Sequence, residues 1–348
     1  MTPKVSINIV AWNSMQFIPE LMKSIMVQTY RDFNVVVIDN GSNDRVEAYL
    51  REHYPDVVLI RNARNLGFAT AHNQGIRYAI EHWSSGEIKD RFILVTNPDI
   101  IFTPTFLEEL LAQVNGHPEC GSFGGKLMRA FGENLADEVF KETVHSDRID
   151  STGLNPHHNF TVTDRGAGEL DLGQFDELQS VFGISGALVL YRALSLQEAR
   201  YKDEFFDHDF FSYKEDVDLA WRLQQLGWDA LYVPQAKAFH YRGMYGPEKS
   251  GILQKIRNWR TKSSIRNFYS TRNQWLMLLK NVEFVHALLA LPWFLPSEAA
   301  RFLYVVFFDQ GLKAFVGALA LVPVMLHKRH ATRSQRKRSG KGIRQWFI

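Results

Sequence analysis

Four short runs rich in β-branched residues fall within the first hundred positions: VSINIV (5–10), NVVVID (34–39), VVLI (57–60) and FILV (92–95). They are short and β-branched-rich, as strands buried on both faces should be. Between them lie stretches of helical periodicity. Phe17, Ile18, Leu21, Met22 and Ile25 recur at helical spacing after the first run, and ATAHNQGIRYAIEHW follows Gly67 and Phe68. Strands and helices alternating in this way imply right-handed crossovers and a mainly parallel sheet covered on both faces. The expected fold class is α/β, a doubly wound, Rossmann-like sheet.

In such sheets ligands bind outside the carboxyl ends of the strands. The four runs are followed by Ala11-Trp12-Asn13, by Asp39-Asn40-Gly41-Ser42, by Arg61 to Gly67, and by Asn97-Pro98-Asp99. Asn, Asp and Gly make turns in many settings, but four polar ends in register would converge on one crevice. Asp99 closes RFILVTNPDI and precedes TPTFLEELLAQV, a proline-started helix. Its carboxylate is therefore expected in the crevice, where a hard oxygen ligand suits a magnesium-like ion. Asp39 is placed to accept hydrogen bonds from a base or ribose. Turn capping is the alternative role for both aspartates.

Residues 130–180 have low periodicity and read as a loop excursion over the sheet, with NPHHNF and RGAGELDLG as loop material. Regular structure returns in SVFGISGALVLYR (180–192), where Gly183 and Gly186 suit a backbone passing close to something bound. In FFDHDFFSYKEDVDLAWRLQQLGW (205–228), Val217, Leu219, Ala220, Leu223 and Leu226 mark a helix beginning near Asp216.

The character changes after about residue 284. FVHALLALPWFLP, FLYVVFF and AFVGALALVPVML are apolar but interrupted by Pro292, Pro296, Glu298, Arg301, Asp309 and Lys313. None reaches the roughly 18–20 apolar residues that cross a bilayer. An interfacial, monotopic attachment anchored by Trp293 and Trp346 is expected, with a helical cap on the α/β domain as the alternative. Residues 327–348 hold eight of the 40 basic residues and no acid, which leaves 32 against 38 acids elsewhere. A mildly acidic body thus carries a basic tail, for which an anionic membrane surface is the expected partner. Nucleic acid is not, since the tail lacks interleaved aromatics. The single cysteine, Cys120, and the absence of a signal-peptide pattern lead us to expect a reducing, cytoplasmic setting.

Taken in order, VSINIVAWN, VVVIDNGSND, RNLGFATAHNQGI, LVTNPDI, GISGALVLYR and the segment 205–228 resemble the inverting family-2 glycosyltransferases of GT-A fold. The chain looks most like the rhamnosyltransferase branch that builds bacterial surface polysaccharides. The likeness extends over residues 4 to about 240 and to YSTRNQWLMLLKN (269–281), which is similar to that branch's helix after the catalytic domain. It implies a GT-A catalytic domain over 1–240, with a nucleotide-sugar half to about 100 and an acceptor half from 101. An acceptor-side loop and helix (241–283), apolar interfacial helices (284–326) and the basic tail (327–348) would follow.

By the same resemblance, Trp12, Asn13 and Asp39 would receive the base and ribose, and Asn65, Gly67 and Asn73 would line the nucleotide and diphosphate pocket. Asp99 would ligate a divalent metal, Mg2+ or Mn2+, with His240 of AFHYRGMYG as a further ligand. Asp216 of KEDVD would be the catalytic base. The implied partners are a dTDP- or UDP-sugar donor, plausibly dTDP-L-rhamnose, and a lipid-linked saccharide acceptor at the cytoplasmic membrane face. The sequence departs from the wider pattern at Asn97, which replaces the first acid of the usual Asp-any-Asp metal motif and is left to hydrogen-bond the sugar or ribose. Arg222, six residues beyond Asp216 on one helix, lies well over a turn away and is assigned to an acidic partner or an acceptor phosphate, outside the catalytic set. A non-catalytic nucleotide-sugar-binding or scaffolding subunit is the competing function. A nucleotidyltransferase would need a glycine-rich basic loop after the first strand, which AWNSMQFIP lacks.

Overall fold

The computed structural model describes residues 4–83, 88–132, 143–241, 264–308 and 312–348. The four expected strands are β1 (Val5–Ala11), β2 (Phe33–Asp39), β3 (Val58–Arg61) and β4 (Phe92–Thr96), joined through α1 (Ile18–Met26), α2 (Val46–His53) and α3 (Gly67–His82). They are parallel, in the order β4-β1-β2-β3. The chain winds outward from β1 to β3 and then returns to the far side of β1. Strand order reverses there, and the reversal opens a crevice at the carboxyl ends of β1 and β4.

Beyond β4 come β5 (Ile100–Phe102), α4 (Phe106–Val114), β6 (Cys120–Gly132), β7 (Thr143–Ser151), β8 (Leu154–Pro156), β9 (Val162–Asp164), β10 (Gln179–Val181), β11 (Leu188–Arg192), α5 (Ala193–Ala199), α6 (Glu215–Gln225) and β12 (Asp229–His240). The full order is β10-β12-β6-β11-β4-β1-β2-β3, with β5 on β12 and β7 on β6. β11 is antiparallel to β4, whereas β12 is parallel to β6. One face of the sheet buries Leu21, Ile25, Phe106 and Leu110 of α1 and α4; the other buries Ile76, Leu196, Leu219 and Leu223 of α3, α5 and α6.

The excursion expected over 130–180 contains several strands among its described residues. β7 pairs with β6, and β8 with β9. Polar edge strands such as TVHSDRIDS carry little apolar alternation, so periodicity could not reveal them. Gly183 and Gly186 do lie close to something, but it is α6 and not a ligand. An added Cβ would come within 2.4 Å of the Ala220 Cβ at Gly183, and within 2.9 Å of the Asp216 Cβ at Gly186.

Five C-terminal helices follow among the described residues: α7 (Ser264–Asn281), α8 (Phe284–Phe308), α9 (Leu312–Ala320), α10 (Val322–Arg333) and α11 (Gly340–Arg344). They build a third core in which Leu276 and Met277 join Trp221, Phe160, Phe182 and Phe347. The basic tail is folded onto the body. Lys328 Nζ reaches Asp207, Asp209 and Glu204 at 2.5, 2.8 and 3.1 Å, Lys337 pairs with Glu198 at 3.0 Å, and Arg338 with Asp229 at 2.8 Å. An acidic body supplies in cis the anions that the tail was expected to seek elsewhere. Trp346 is likewise no outward anchor, since its indole N–H donates to Gln224 Oε1 at 3.1 Å. Trp293 on α8 is 53% exposed. No helix among the described residues is long and apolar enough to cross a membrane.

Candidate active site

Antiparallel pairing of β5 with β12 sets His240 opposite Ile100, and so beside Asp99. The Tyr241 N–H donates to the Asp99 carbonyl at 3.0 Å, which fixes that corner. His240 Nε2 lies 3.3 Å from Asp99 Oδ1, and Nδ1 lies 2.8 Å from Asp150 Oδ2. Asp99 Oδ1 is buried without a hydrogen-bond partner among the described residues. Burial alone would lower the His240 pKa, but the Asp99 charge and the Asp150 hydrogen bond carry it up to about 10. The corner therefore favours positive charge. A buried carboxylate oxygen whose one charged neighbour among the described residues is an imidazole nitrogen is a donor set that fits a divalent cation.

Asp216 stands in the first turn of α6, where Glu215 and Asp218 also complement the helix dipole. Its Oδ2 accepts from the Gly186 N–H at 3.0 Å and its Oδ1 from the Val217 N–H at 2.8 Å. Burial outweighs these hydrogen bonds and the Lys214 charge, so its pKa is raised. The Asp218 charge is absorbed by Lys280 and Arg222, at 2.8 and 2.9 Å. Arg222 is thus buried in an ion pair, in keeping with its exclusion from the catalytic set. Next to Gly186, the Ala187 carbonyl accepts from the Asn97 N–H at 2.8 Å. Asp216 and the Asn97-to-Asp99 corner consequently flank the same strand ends, those of β4 and β11.

A cavity of about 690 Å3 opens at the carboxyl ends of β1 and β2. Trp12, Asn65 and Gly67 line it as expected, with Asn40 and with Phe211, Tyr213 and Tyr269 from the far wall. Gly67 has a φ of +83°, and a Cβ there would lie 2.4 Å from the Phe211 carbonyl, so only glycine fits. Three other residues expected to bind donor make hydrogen bonds within the frame. Asp39 is 1% exposed, with Oδ1 accepting from the Ser42 N–H at 2.9 Å. Asn13 accepts from the Asn43 N–H at 2.9 Å. Asn73 is buried, donating to the Phe206 carbonyl and accepting from the Phe205 and Phe206 N–H groups.

Residues 6–167 match the model of the family described as Glycosyl transferase family 2. The chain carries a family-2 glycosyltransferase domain. It is 27% identical over 251 residues to the N-acetylglucosaminyl-diphospho-decaprenol L-rhamnosyltransferase of Mycobacterium tuberculosis, covering 70% of this chain and 77% of that one. It is 26% identical over 275 residues to the rhamnosyltransferase WbbL of Escherichia coli K12, covering 75% and 91%. Among solved structures, a mannosyltransferase of Pyrobaculum calidifontis in complex with GDP-Man and Mn2+ superposes with a TM-score of 0.51 at 16% identity, over 96% of this chain and 86% of that one. The fold is of the GT-A type.

In this glycosyltransferase, the sequence did not disclose what holds the segment in front of Asp216. Phe211, Tyr213 and Lys214 all have left-handed φ, at 61°, 72° and 73°. Asn273 Nδ2 of α7 bonds three carbonyls of this loop, those of Phe210, Ser212 and Tyr213, at 2.7, 2.8 and 2.7 Å. Arg272 donates to the Asp209 and Phe210 carbonyls. The motif TRNQW therefore acts as a clamp that fixes both the cavity wall and the start of α6. A second possible metal cluster, His117, Glu119 and Cys120, sits at the amino end of β6, on the opposite edge of the sheet. Burial and the Glu119 and Asp229 charges push the Cys120 thiol up to about 12, which opposes its ionisation as a ligand.

Proposed function

We propose that this glycosyltransferase moves L-rhamnose, with inversion, from dTDP-L-rhamnose onto a lipid-linked saccharide in surface-polysaccharide synthesis. What carries the proposal is the placement of Asp216 and the Asp99–His240 corner at the ends of the same two strands. Asp216 would take the proton of the acceptor hydroxyl as that oxygen attacks the anomeric carbon, opposite the leaving nucleoside diphosphate. Asp99 and His240 would hold a divalent cation, which when bound offsets charge on the departing diphosphate. One imidazole beside one carboxylate suits Mn2+ better than Mg2+, which prefers an all-oxygen shell. The named activities of the two rhamnosyltransferase relatives support the sugar and the lipid-linked acceptor.

The test is incubation of the purified chain and Mn2+ with a panel of nucleotide sugars and a polyprenyl-diphosphate saccharide. Transfer is expected from dTDP-L-rhamnose. The absence of both transfer and hydrolysis with every donor would overturn catalysis and favour the competing binding subunit.

A peripheral, monotopic seat on the cytoplasmic membrane face completes the proposal. Phe284, Leu289, Trp293, Leu295 and Leu319 are exposed on α8 and α9, an apolar surface suited to the headgroup boundary. Because Lys328, Arg336, Lys337 and Arg338 of the tail are already paired with acids of the chain, apolar contact should dominate over electrostatics. In vesicle flotation the chain is expected to rise with the lipid, to stay bound at 1 M salt, and to lose binding in Leu289→Ser/Leu295→Ser. Loss of the intact chain at high salt would return the attachment to electrostatics.

A further inference from the structure

Asp150 lies on β7, in the stretch where sequence periodicity indicated only loop. In the β6–β7 register Leu127 faces Ser151 and Met128 faces Ile149, so Asp150 is the extra residue of a β-bulge. Bulges re-aim a side chain and cluster beside active sites. Here Arg129 of β6 is registered against His240 of β12, and the bulged carboxylate meets the His240 ring at 2.8 Å. Asp150 is 1% exposed and His240 6%. Arg129 Nε stands 3.7 Å from the other Asp150 oxygen and braces the carboxylate from behind.

The direction of the bond matters. A carboxylate accepts, so Nδ1 carries a proton and donates to Asp150; Nε2 faces Asp99 Oδ1 at 3.3 Å as an ion pair, and a cation held there would take the place of the Nε2 proton. Asn97 denies the corner the second acid that the usual metal motif provides. We infer that Asp150 is a positioning residue of the cation site, fixing the His240 tautomer and supplying through the imidazole the negative charge missing at position 97. The inference rests on Asp99 and His240 holding the cation. A carboxylate behind a ligating histidine orients the ring and raises its basicity, and losing it typically weakens metal binding by about 10–100-fold.

The test measures Mn2+ affinity of the purified full chain by titration calorimetry, without donor or acceptor. Asp150→Asn keeps an acceptor for Nδ1–H but removes the charge, and is expected to weaken Mn2+ by about 10-fold or more. His240→Ala should weaken it further. If Asp150→Asn binds within twofold of wild type while His240→Ala is impaired, Asp150 is structural and the inference fails. If His240→Ala and Asp99→Ala both bind as wild type does, the cation lies elsewhere and the underlying assignment fails too. Should Asp150→Asn not fold, the 15N-histidine spectrum of the Mg2+-loaded wild-type chain decides: the Nδ1–H tautomer at His240 is expected, and Nε2–H would overturn the inference.

Discussion

Replacing Asp216 with asparagine is expected to lower kcat by about 100-fold or more, the range lost when a positioned general base is removed, while the donor Kd changes by no more than about twofold. The carboxylate sits at the β4–β11 ends and does not line the cavity at the β1 and β2 ends, so under the proposed function binding and turnover should separate. Both of its oxygens accept backbone N–H groups. Asparagine turns an N–H against one of them, which costs about 1–3 kcal/mol of stability, so the melting temperature is measured alongside the rate. The pH profile gives a second readout. A base works ionised, and burial raises the Asp216 pKa. The acid limb of kcat should then lie above the ordinary aspartate value of about 3.9, with activity falling as pH drops through it. That limb should vanish from the residual activity of the variant. A scaffold protein would show no such limb, and an unchanged kcat would remove Asp216 from the chemistry.

The sequence could be read wherever one strand or one turn decided the outcome. β1, β2 and β4 are short and rich in β-branched residues because both faces of the sheet are covered, and Asp99 could be placed from the strand that ends three residues before it. What could not be read depends on partners far along the chain. Asn73 looks like a pocket residue until Phe205 and Phe206 close over it, more than a hundred residues away. Asp150 has significance only through a bulge and a histidine ninety positions on. Tyr269 reaches the cavity because α7 folds back across the β1 and β2 ends. The tail is a composition effect in sequence and a set of ion pairs in space, since only the fold decides which acids of the body its lysines and arginines meet.

Lys280 ties these levels together, and Lys280→Met is expected to cost about 3–5 kcal/mol, the penalty for removing one partner of a buried charge network. Its Nζ lies 2.6 Å from Asp207 and 2.8 Å from Asp218, and all three side chains are almost fully buried. Burial alone would raise both aspartates. The Lys280 and Lys328 charges on Asp207, and those of Lys280 and Arg222 on Asp218, more than offset it, so both carboxyls are held below their usual range. The sign of the pH dependence follows from those depressed values. The stabilisation is complete above the unfolded aspartate pKa of about 3.9 and is lost as pH falls through the native values. The gap between wild type and Lys280→Met in guanidinium denaturation should accordingly be widest near neutrality and narrow below about pH 4. Lys328→Met should cost less, because Glu204 and Asp209 remain partly exposed and can be rehydrated. A Lys280→Met loss under 1 kcal/mol would mean that Arg222 suffices as the charge partner of Asp218. The last turn of α7 would then hold α6 through the Asn281 hydrogen bond to Asp218 and not through the Lys280 charge.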